Sequence, residues 1–337
     1  MIKHIEYLQL LKTRLFVNAR ACNTKTLMIT MIYAVIAGLS CQNRYEPPTN
    51  SKNYILFHRD IPNDFWRTDM YMINVEQKKE IRLTTKYLNF SSAWDSESLV
   101  YYIVSHHRRS STDADIARIN IYTGKGEIFS VDDPYEPEYG LISIFKNCIY
   151  YCTYDVDYGN RNINTFAVVN DTIRIAPIIS AVQFNDLGIY QVQDPVISPD
   201  GKYIVFEARD SLKRVRSTDP RKQYQDLFLY SLGDKSTRKL NPPSDSNYRQ
   251  AAWIDPENLL FSSNEDWGYK IYSVNIKTSN ISQLIDDENY DLLYPAMAPD
   301  KVRIAYVKQD RKTYRMEIWI YDLRTGKSEY LTEGDSP

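Results

Sequence analysis

The stretch VISPDGKYIVFEAR, residues 196–209, contains the pattern that decides the fold. It places a turn with Pro and Gly before a strand in which apolar residues alternate. The pattern returns in WIDPENLLFSSNE (253–265) and MAPDKVRIAYVKQ (297–309), and AWDSESLVYYIVSH (93–106) keeps it without the proline. Alternation at period two with Tyr, Phe, Ile and Val is typical of strands, so the sequence predicts an all-β chain.

A further strand follows each copy after a polar loop. These strands are DMYMIN (69–74), DIARIN (115–120), DLFLYS (226–231), KIYSVN (270–275) and EIWIYD (317–322). Their ends recur at steps of 46 residues (Asn74 to Asn120), 44 (Ser231 to Asn275) and 47 (Asn275 to Asp322). A short fourth strand then follows a tight turn, so the repeating unit is predicted to be a four-stranded antiparallel sheet.

Such sheets bury both faces when they stack radially, which predicts a six-bladed β-propeller over residues 54–335. The predicted blades are 54–84, 91–131, 141–180, 194–241, 250–286 and 294–333. Residues 181–193 are expected to form an extra connection. Blade one is expected to lack its innermost strand, because only RYEPPTNSKN (44–53) precedes the strand YILFH.

The units SPDGKYIVF, WIDPENLLFSS and MAPDKVRIAYV resemble the β-propeller repeats of the TolB family. The resemblance covers about 80% of the chain after residue 40 and rests on turn formers and core apolar residues. It implies a six-bladed propeller. TolB proper carries an N-terminal α/β domain, so this chain resembles a propeller-only relative of lipoprotein type. For function, the resemblance implies interaction with the Tol-Pal envelope system.

Residues 1–40 are predicted to be a signal peptide. Five basic residues precede an apolar segment from Leu27 to Leu39, whose 13 residues are too few for a spanning helix of about 20. The stretch AGLSC ending at Cys41 resembles the lipobox of bacterial lipoproteins, with Gly38 where that family prefers Leu. Lipidation at Cys41, simple secretion and a stray apolar N-terminus remain alternatives, and lipidation is favoured. Residues 41–53 would then link the lipid anchor to the propeller in the bacterial envelope, with the outer membrane as the favoured site.

Removing residues 1–40 leaves a net charge of −6, which argues against a nucleic-acid partner. Besides Cys41, only Cys148 and Cys152 remain, and they fall on one strand about 13 Å apart, which is too far for a disulfide. Contact with the membrane is expected through the N-terminal lipid only.

Catalytic motifs are scarce. Gly326-Lys327-Ser328 has Tyr321 where a phosphate-binding loop needs Gly, and Thr-Gly-Lys recurs at 123–125, so both are predicted to be hairpin turns. Neither HExxH nor GxSxG occurs. Oligogalacturonide lyases, whose propellers resemble those of TolB, use histidine-rich metal sites, whereas only His58, His106 and His107 follow residue 40. The sequence predicts no cofactor and no metal, and it favours binding over catalysis.

The loops between second and third strands emerge on one face of a propeller, and several of them are basic or aromatic. A partner-binding surface is predicted there, with an anionic partner favoured and ordinary loop solvation as the alternative. Its candidate residues are Arg108, Arg109, Arg214, Arg216, Tyr224, Trp267, Arg311, Lys312 and Tyr314.

Residues 91–92, 194–195, 249–250 and 294–295 are expected to begin the inner strands and to ring the channel mouth. Asp194, Arg249 and Tyr294 are therefore added to the partner-binding candidates. The sequence predicts a non-catalytic envelope protein that binds a protein or polysaccharide across the loop-rich face. The alternatives are a carbohydrate-active lyase or hydrolase at the channel mouth, marked by perturbed carboxylates or a metal, and a scaffold.

Overall fold

The computed structural model describes residues 53–61, 64–105, 114–131, 137, 140–155, 157–169, 172–210, 225–241, 246–264 and 268–333. Within them the chain folds as a six-bladed β-propeller of antiparallel sheets, which confirms the predicted fold. Each complete blade runs outwards from its first strand to its fourth, following the order of the chain.

The strands are assigned to blades in chain order. Blade one contains β1 (Tyr54–Ile61), β2 (Asp64–Asn74) and β3 (Glu80–Arg82). Blade two contains β4 (Leu88–Trp94), β5 (Leu99–Ser105), β6 (Ala114–Asn120) and β7 (Gly126–Phe129). Blade three contains β8 (Ser143–Phe145), β9 (Cys148–Asp155), β10 (Asn160–Val169) and β11 (Thr172–Ile179). Blade four contains β12 (Ile189–Ile197), β13 (Tyr203–Asp210), β14 (Asp226–Ser231) and β15 (Thr237–Lys239). Blade five contains β16 (Tyr248–Trp253), β17 (Asn258–Ser263), β18 (Lys270–Asn275) and β19 (Ile281–Ile285). Blade six contains β20 (Tyr290–Met297), β21 (Arg303–Asp310), β22 (Met316–Asp322) and β23 (Lys327–Glu333).

The connection between blades three and four differs from the prediction. An extra connection is present, but it is shorter than the predicted residues 181–193: helix α1 (Ala181–Asp186) occupies its first part, and β12 already begins at Ile189. Ser180 caps α1 by accepting the Gln183 N–H, and the Gln183 side chain returns to the Ser180 N–H in a capping box. This helix is too short to span a membrane, and the described residues contain no apolar helix of spanning length.

The core lies between the blades, because both faces of the second strand are buried in blades two to five. On β13, Ile204 and Phe206 pack against blade three, while Val205 packs against blade five. Phe206 lies between the rings of Phe184 and Phe228, with centroids 5.1 and 5.7 Å away. The apolar alternation that predicted the strands therefore supplies two interfaces per blade.

The residues that marked the repeat period close turns. Asn74, Asn120, Asn275 and Asp322 each accept two backbone N–H groups from the residues that follow, in Asx turns. The Thr-Gly-Lys turns are confirmed, since Gly124 and Gly326 have φ of 67° and 66°. The prediction that the two cysteines of β9 do not pair with each other is also confirmed, because neither belongs to a disulfide.

Blade one has three strands among the described residues, as predicted, and β1 occupies the position of a second strand. The ring closes where blade one packs on blade six through a cluster of Phe57, Ile73, Ile318 and Leu331. Polar contacts at the rim support this closure: Lys78 pairs with Glu329 at 2.7 Å, and the Thr332 hydroxyl donates to Glu80. Packing between neighbouring sheets thus joins the two ends of the described chain.

Candidate functional site

The propeller has two unlike faces. We call the face where first strands begin and second strands end the loop face, as the pairs Ile189↔Asp210, Tyr248↔Ser263 and Tyr290↔Asp310 define it. The opposite face, which carries the Asx turns, is the turn face. Connections on the turn face are short and closed by their own side chains, so the loop face is the candidate binding surface.

Exposed tyrosines are concentrated on the loop face. Tyr158 is 51% exposed in the β9–β10 turn, and Tyr314 is 62% exposed in the β21–β22 turn. Tyr154 ends β9 and Tyr87 precedes β4, and both are exposed on the same face. The fifth exposed tyrosine of the described residues, Tyr294, lines the channel. Tyrosine combines a large apolar ring with a hydrogen-bonding hydroxyl, which suits a docking surface.

The predicted basic residues of the β21–β22 turn have different roles. Arg311 is held in place, because its Nε lies 2.9 Å from Asp291 and its two terminal nitrogens donate to the carbonyls of Glu288 and Tyr290. Lys312 is exposed beside it. Arg311 therefore fixes the loop face, and Lys312 is the residue of the two that a partner could pair with.

Other predicted site residues lie outside the described part of the chain. They are Cys41, Arg108, Arg109, Arg214, Arg216, Tyr224 and Trp267.

The sequence suggested that the channel residues begin the inner strands. In the structure they lie within those strands. Ser91, Asp194, Gln250 and Tyr294 have φ of 52°, 53°, 57° and 51°, and each lies at a break in the register of its strand. A left-handed residue in such a bulge turns its side chain out of the alternation and towards a neighbouring blade. The four bulges are thus one feature repeated in blades two, four, five and six.

The bulge residues link the blades around the channel. Ser91 accepts the Ile142 N–H and Asp194 accepts the Leu141 N–H, both at 2.7 Å, so blades two and four hold blade three. Gln250 accepts the Tyr294 N–H at 2.9 Å and so joins blades five and six. We call this set of bonds the channel belt. Its members Asp194 and Tyr294 were predicted to be partner-binding residues, and in the belt they also help to join neighbouring blades.

Glu207 is the acidic centre of the belt and was not predicted as a site residue. Its side chain is 1% exposed and accepts from Arg249 Nε and Gln193 Nε2, each at 3.1 Å, and from the Gln250 N–H. Gln193 also donates to Gln225, which ties β12 to the start of β14. The signal in the sequence was an acid inside an otherwise apolar strand, YIVFEA.

Burial and the nearby Asp194 raise the pKa of Glu207 to about 8, although Arg249 and two further donors pull it down. Burial lowers the pKa of Arg249, but Glu207 and Tyr269 outweigh it and the net pKa is raised. Burial and Asp194 also raise the pKa of Tyr294, whose ring is still 48% exposed because it lines an open channel. Perturbed carboxyls of this kind occur at catalytic sites and in structural networks alike.

His58 links blades one and two from the position on β1 that Glu207 occupies on β13. Its Nδ1 lies 3.1 Å from the Asn89 carbonyl, to which it donates, and its Nε2 lies 3.0 Å from the Ser92 hydroxyl, which donates to it. Burial lowers the pKa of His58 to about 4, outweighing the Asn89 carbonyl. The imidazole is therefore neutral at pH 7 and both nitrogens are occupied.

This burial predicts acid sensitivity. The unfolded chain binds the His58 proton near pH 6.5, and the folded chain does so only near pH 4. Stability attributable to His58 is thus complete above pH 6.5 and falls as the pH is lowered towards 4, by about 3 kcal/mol at 1.4 kcal/mol per pKa unit. Urea unfolding of the wild type and of His58→Gln across this range measures the effect. A loss of stability that is equally steep in His58→Gln would contradict it.

No group of three or more His, Cys, Asp or Glu side chains that could hold a metal ion occurs among the described residues.

The fold is a six-bladed β-propeller similar to those of TolB structures. The chain is similar to the crystal structure of TolB from Acinetobacter baumannii, with 16% identity over 90% of this chain and 68% of that one and a TM-score of 0.63. It is also similar to putative TolB from Agrobacterium tumefaciens, with 14% identity over 80% of this chain and 91% of that one and a TM-score of 0.62. An oligogalacturonate lyase in complex with manganese shares 13% identity over 84% and 74%, with a TM-score of 0.55. No family model and no curated protein matches the sequence. At these identities the similarity establishes the fold.

Proposed function

We propose that the chain is a non-catalytic binding or assembly protein of the bacterial envelope, which engages a protein or polysaccharide across its loop face. The observation that carries the proposal is the distribution of exposed tyrosines. Four of the five described ones lie on the loop face, and the fifth lines the channel that opens onto it. The described turn-face turns at Asn120, Asn275 and Asp322 are Asx turns, and none of the five exposed tyrosines lies in them. We further propose that Cys41 is lipidated and anchors the protein to the envelope.

The alternative is a carbohydrate-active lyase or hydrolase at the channel mouth. The observation in its favour is the pair of carboxyls Glu207 and Asp194, with the raised pKa of Glu207. Geometry opposes it, because Glu207 is buried behind three hydrogen-bond donors and has no free path to a substrate. A general acid or base must approach within hydrogen-bonding distance of the atom it serves.

Affinity capture tests the binding proposal. Tagged full-length protein from detergent-solubilised bacterial membranes should retain a stoichiometric protein or glycan partner. The double variant Tyr158→Ala, Tyr314→Ala should bind it at least about tenfold more weakly, because exposed aromatic residues commonly carry binding energy at interfaces. The matched control is Ile128→Ala, Leu323→Ala, which removes two exposed apolar side chains away from the loop face.

Equal binding by both double variants would overturn the loop-face assignment. Turnover of added acidic oligosaccharides by the wild type would favour the enzyme.

For the anchor, Cys41→Ser should abolish fatty-acid labelling and release the protein from membranes. Persistent labelling in that variant would exclude Cys41 as the lipidated residue.

A further inference from the structure

Two arginine side chains from neighbouring blades come together at the loop face. On β13, Val205 packs against blade five, and Glu207 accepts hydrogen bonds from Arg249 and Gln250 of that blade. Alternate residues of a strand share a face, so Arg209 on the same strand also faces blade five. Since β13 ends and β16 begins at the loop face, Arg209 and Arg249 lie at that face.

The two guanidinium groups are close enough to repel each other. Burial, and then the positive charge of Arg249, lower the pKa of Arg209. Both groups stay charged at neutral pH, because arginine keeps its proton in proteins. The side chain of Arg249 is 34% exposed and Arg209 is half-buried, so an incoming ligand has access to the pair. An anion bound between them would be attracted by both guanidinium groups and would relieve their repulsion.

The neighbouring carboxyl groups compensate this charge only in part. Glu207 accepts from Arg249 Nε, but its pKa of about 8 leaves it mostly protonated at pH 7. Among the described residues, Asp194 is the other carboxyl whose charge raises the pKa of Arg249, and it also accepts the Leu141 N–H. Two guanidinium groups therefore face less than two negative charges, which leaves this part of the channel mouth positive.

Two tyrosines border the arginines. Tyr294 lines the channel and is 48% exposed, and the charge of Arg249 lowers the pKa of its hydroxyl against the larger effect of burial. Burial raises the pKa of Tyr269, and Arg249 again acts in the opposite direction. We call Arg209, Arg249, Tyr269 and Tyr294 the arginine cluster. Arginine and tyrosine near the centre of a surface, with further tyrosines around them, are the composition of binding hot spots between proteins.

We propose that the arginine cluster binds the carboxylate of an Asp or Glu side chain of a partner protein that docks on the loop face. A guanidinium group recognises a carboxylate through two parallel N–H groups, and tyrosine hydroxyls donate to the same oxygens. An acidic sugar carries the same group, but the hot-spot composition favours a protein. The proposal rests on the proposed binding function and narrows the partner to a protein with an acidic residue at its point of contact.

A glutamate decapeptide is the probe, and a glutamine decapeptide is its matched control. At about 0.15 M salt, where distant charges are screened, full-length protein should bind the glutamate peptide at least about tenfold more tightly. Arg209→Gln should weaken this binding by at least about tenfold. Arg324→Gln removes the same charge from an exposed turn-face arginine and should bind as the wild type does. Equal binding of the two peptides, or equal effects of the two substitutions, would overturn the proposal.

Nuclear magnetic resonance of the wild type supplies a readout that does not depend on the folding of Arg209→Gln. In full-length protein labelled with nitrogen-15 arginine, the Nε signals of Arg209 and Arg249 should shift when the glutamate peptide is added. The Arg59 signal should stay in place, because that side chain is held by both oxygens of Glu80 in blade one. Arg209 and Arg249 signals that do not respond to the peptide would also overturn the proposal.

Two further results separate the alternatives. Trigalacturonate that binds more tightly than the glutamate peptide, with the same dependence on Arg209, would overturn the assignment to a protein. A captured envelope partner that Arg209→Gln retains as well as the wild type does would overturn the inference and leave the proposed function intact. Failure of the wild type to capture any partner would instead count against the proposed function, whereas the peptide and resonance experiments test the arginine cluster by themselves.

Discussion

Replacing Phe206 with alanine is expected to lower the free energy of unfolding by about 3 to 5 kcal/mol, the range for removing a fully buried phenylalanine. Phe206 has no exposed surface and its ring lies between Phe184 and Phe228. Because α1 fills one side and β14 the other, the cavity has little freedom to collapse. Urea unfolding monitored by circular dichroism measures the change.

The control for Phe206→Ala is Ile128→Ala, which truncates an exposed side chain on an outer strand and should change stability by less than about 0.5 kcal/mol. A cost below about 1 kcal/mol for Phe206→Ala would mean that blades three and four are not packed as described.

Replacing Glu207 with methionine is expected to lower the free energy of unfolding by about 3 kcal/mol. The change leaves the buried Gln250 N–H and the Arg249 guanidinium without their acceptor, and such donors cost about 1 to 3 kcal/mol each. Gln193 keeps Gln225 as a hydrogen-bond partner, so losing its bond to Glu207 costs less free energy. Because the folded chain binds the Glu207 proton more tightly than the unfolded chain does, this cost is greatest below about pH 4.5 and falls as the pH rises towards 8.

The matched control for Glu207→Met is Ser262→Ala, at the same position of blade five. Ser262 is fully buried, and its hydroxyl has no hydrogen-bond partner in the described chain. Its removal should therefore be neutral or slightly stabilising. If Glu207→Met proved as mild as Ser262→Ala, the channel belt would not hold blades four and five together.

The repeat could be recognised in the sequence because each residue that marks it has a local structural role. Asn74, Asn120 and Asn275 recur since each closes the same turn, and the alternating apolar residues recur since each second strand faces two neighbours. Such information is contained within a few residues. The three strands that blade one has among the described residues could also be predicted, because this is a matter of counting.

The belt could not be predicted, because its bonds join residues that are distant in the sequence. Nothing in the sequence near Glu207 indicates that its side chain accepts the Gln250 N–H. The bulge that positions this N–H contains no glycine that would mark the bulge in the sequence. Arg311 shows the converse case. It was predicted as a partner-binding residue, and Asp291 and two carbonyls from the preceding connection hold it. A charge in a loop sequence does not reveal whether the folded chain has already paired it.

Position 207 also shows how one fold takes different chemistry at equivalent sites. The corresponding residues are His58 in blade one, Ile103 in blade two, Ser262 in blade five and Val307 in blade six. Where the residue is polar and bonded, as at 58 and 207, it holds the next blade through that blade's inner strand. Apolar packing serves the same purpose at Ile103, so the polar sites are local solutions to joining neighbouring blades.

Hydrogen exchange of the protein with and without its captured envelope partner tests the central claim most directly. The loop-face account predicts slowed exchange around residues 87–89, 154–160 and 310–315, with the turns at 120–125 and 322–327 unchanged. Slowed exchange confined to those turn-face hairpins would contradict it.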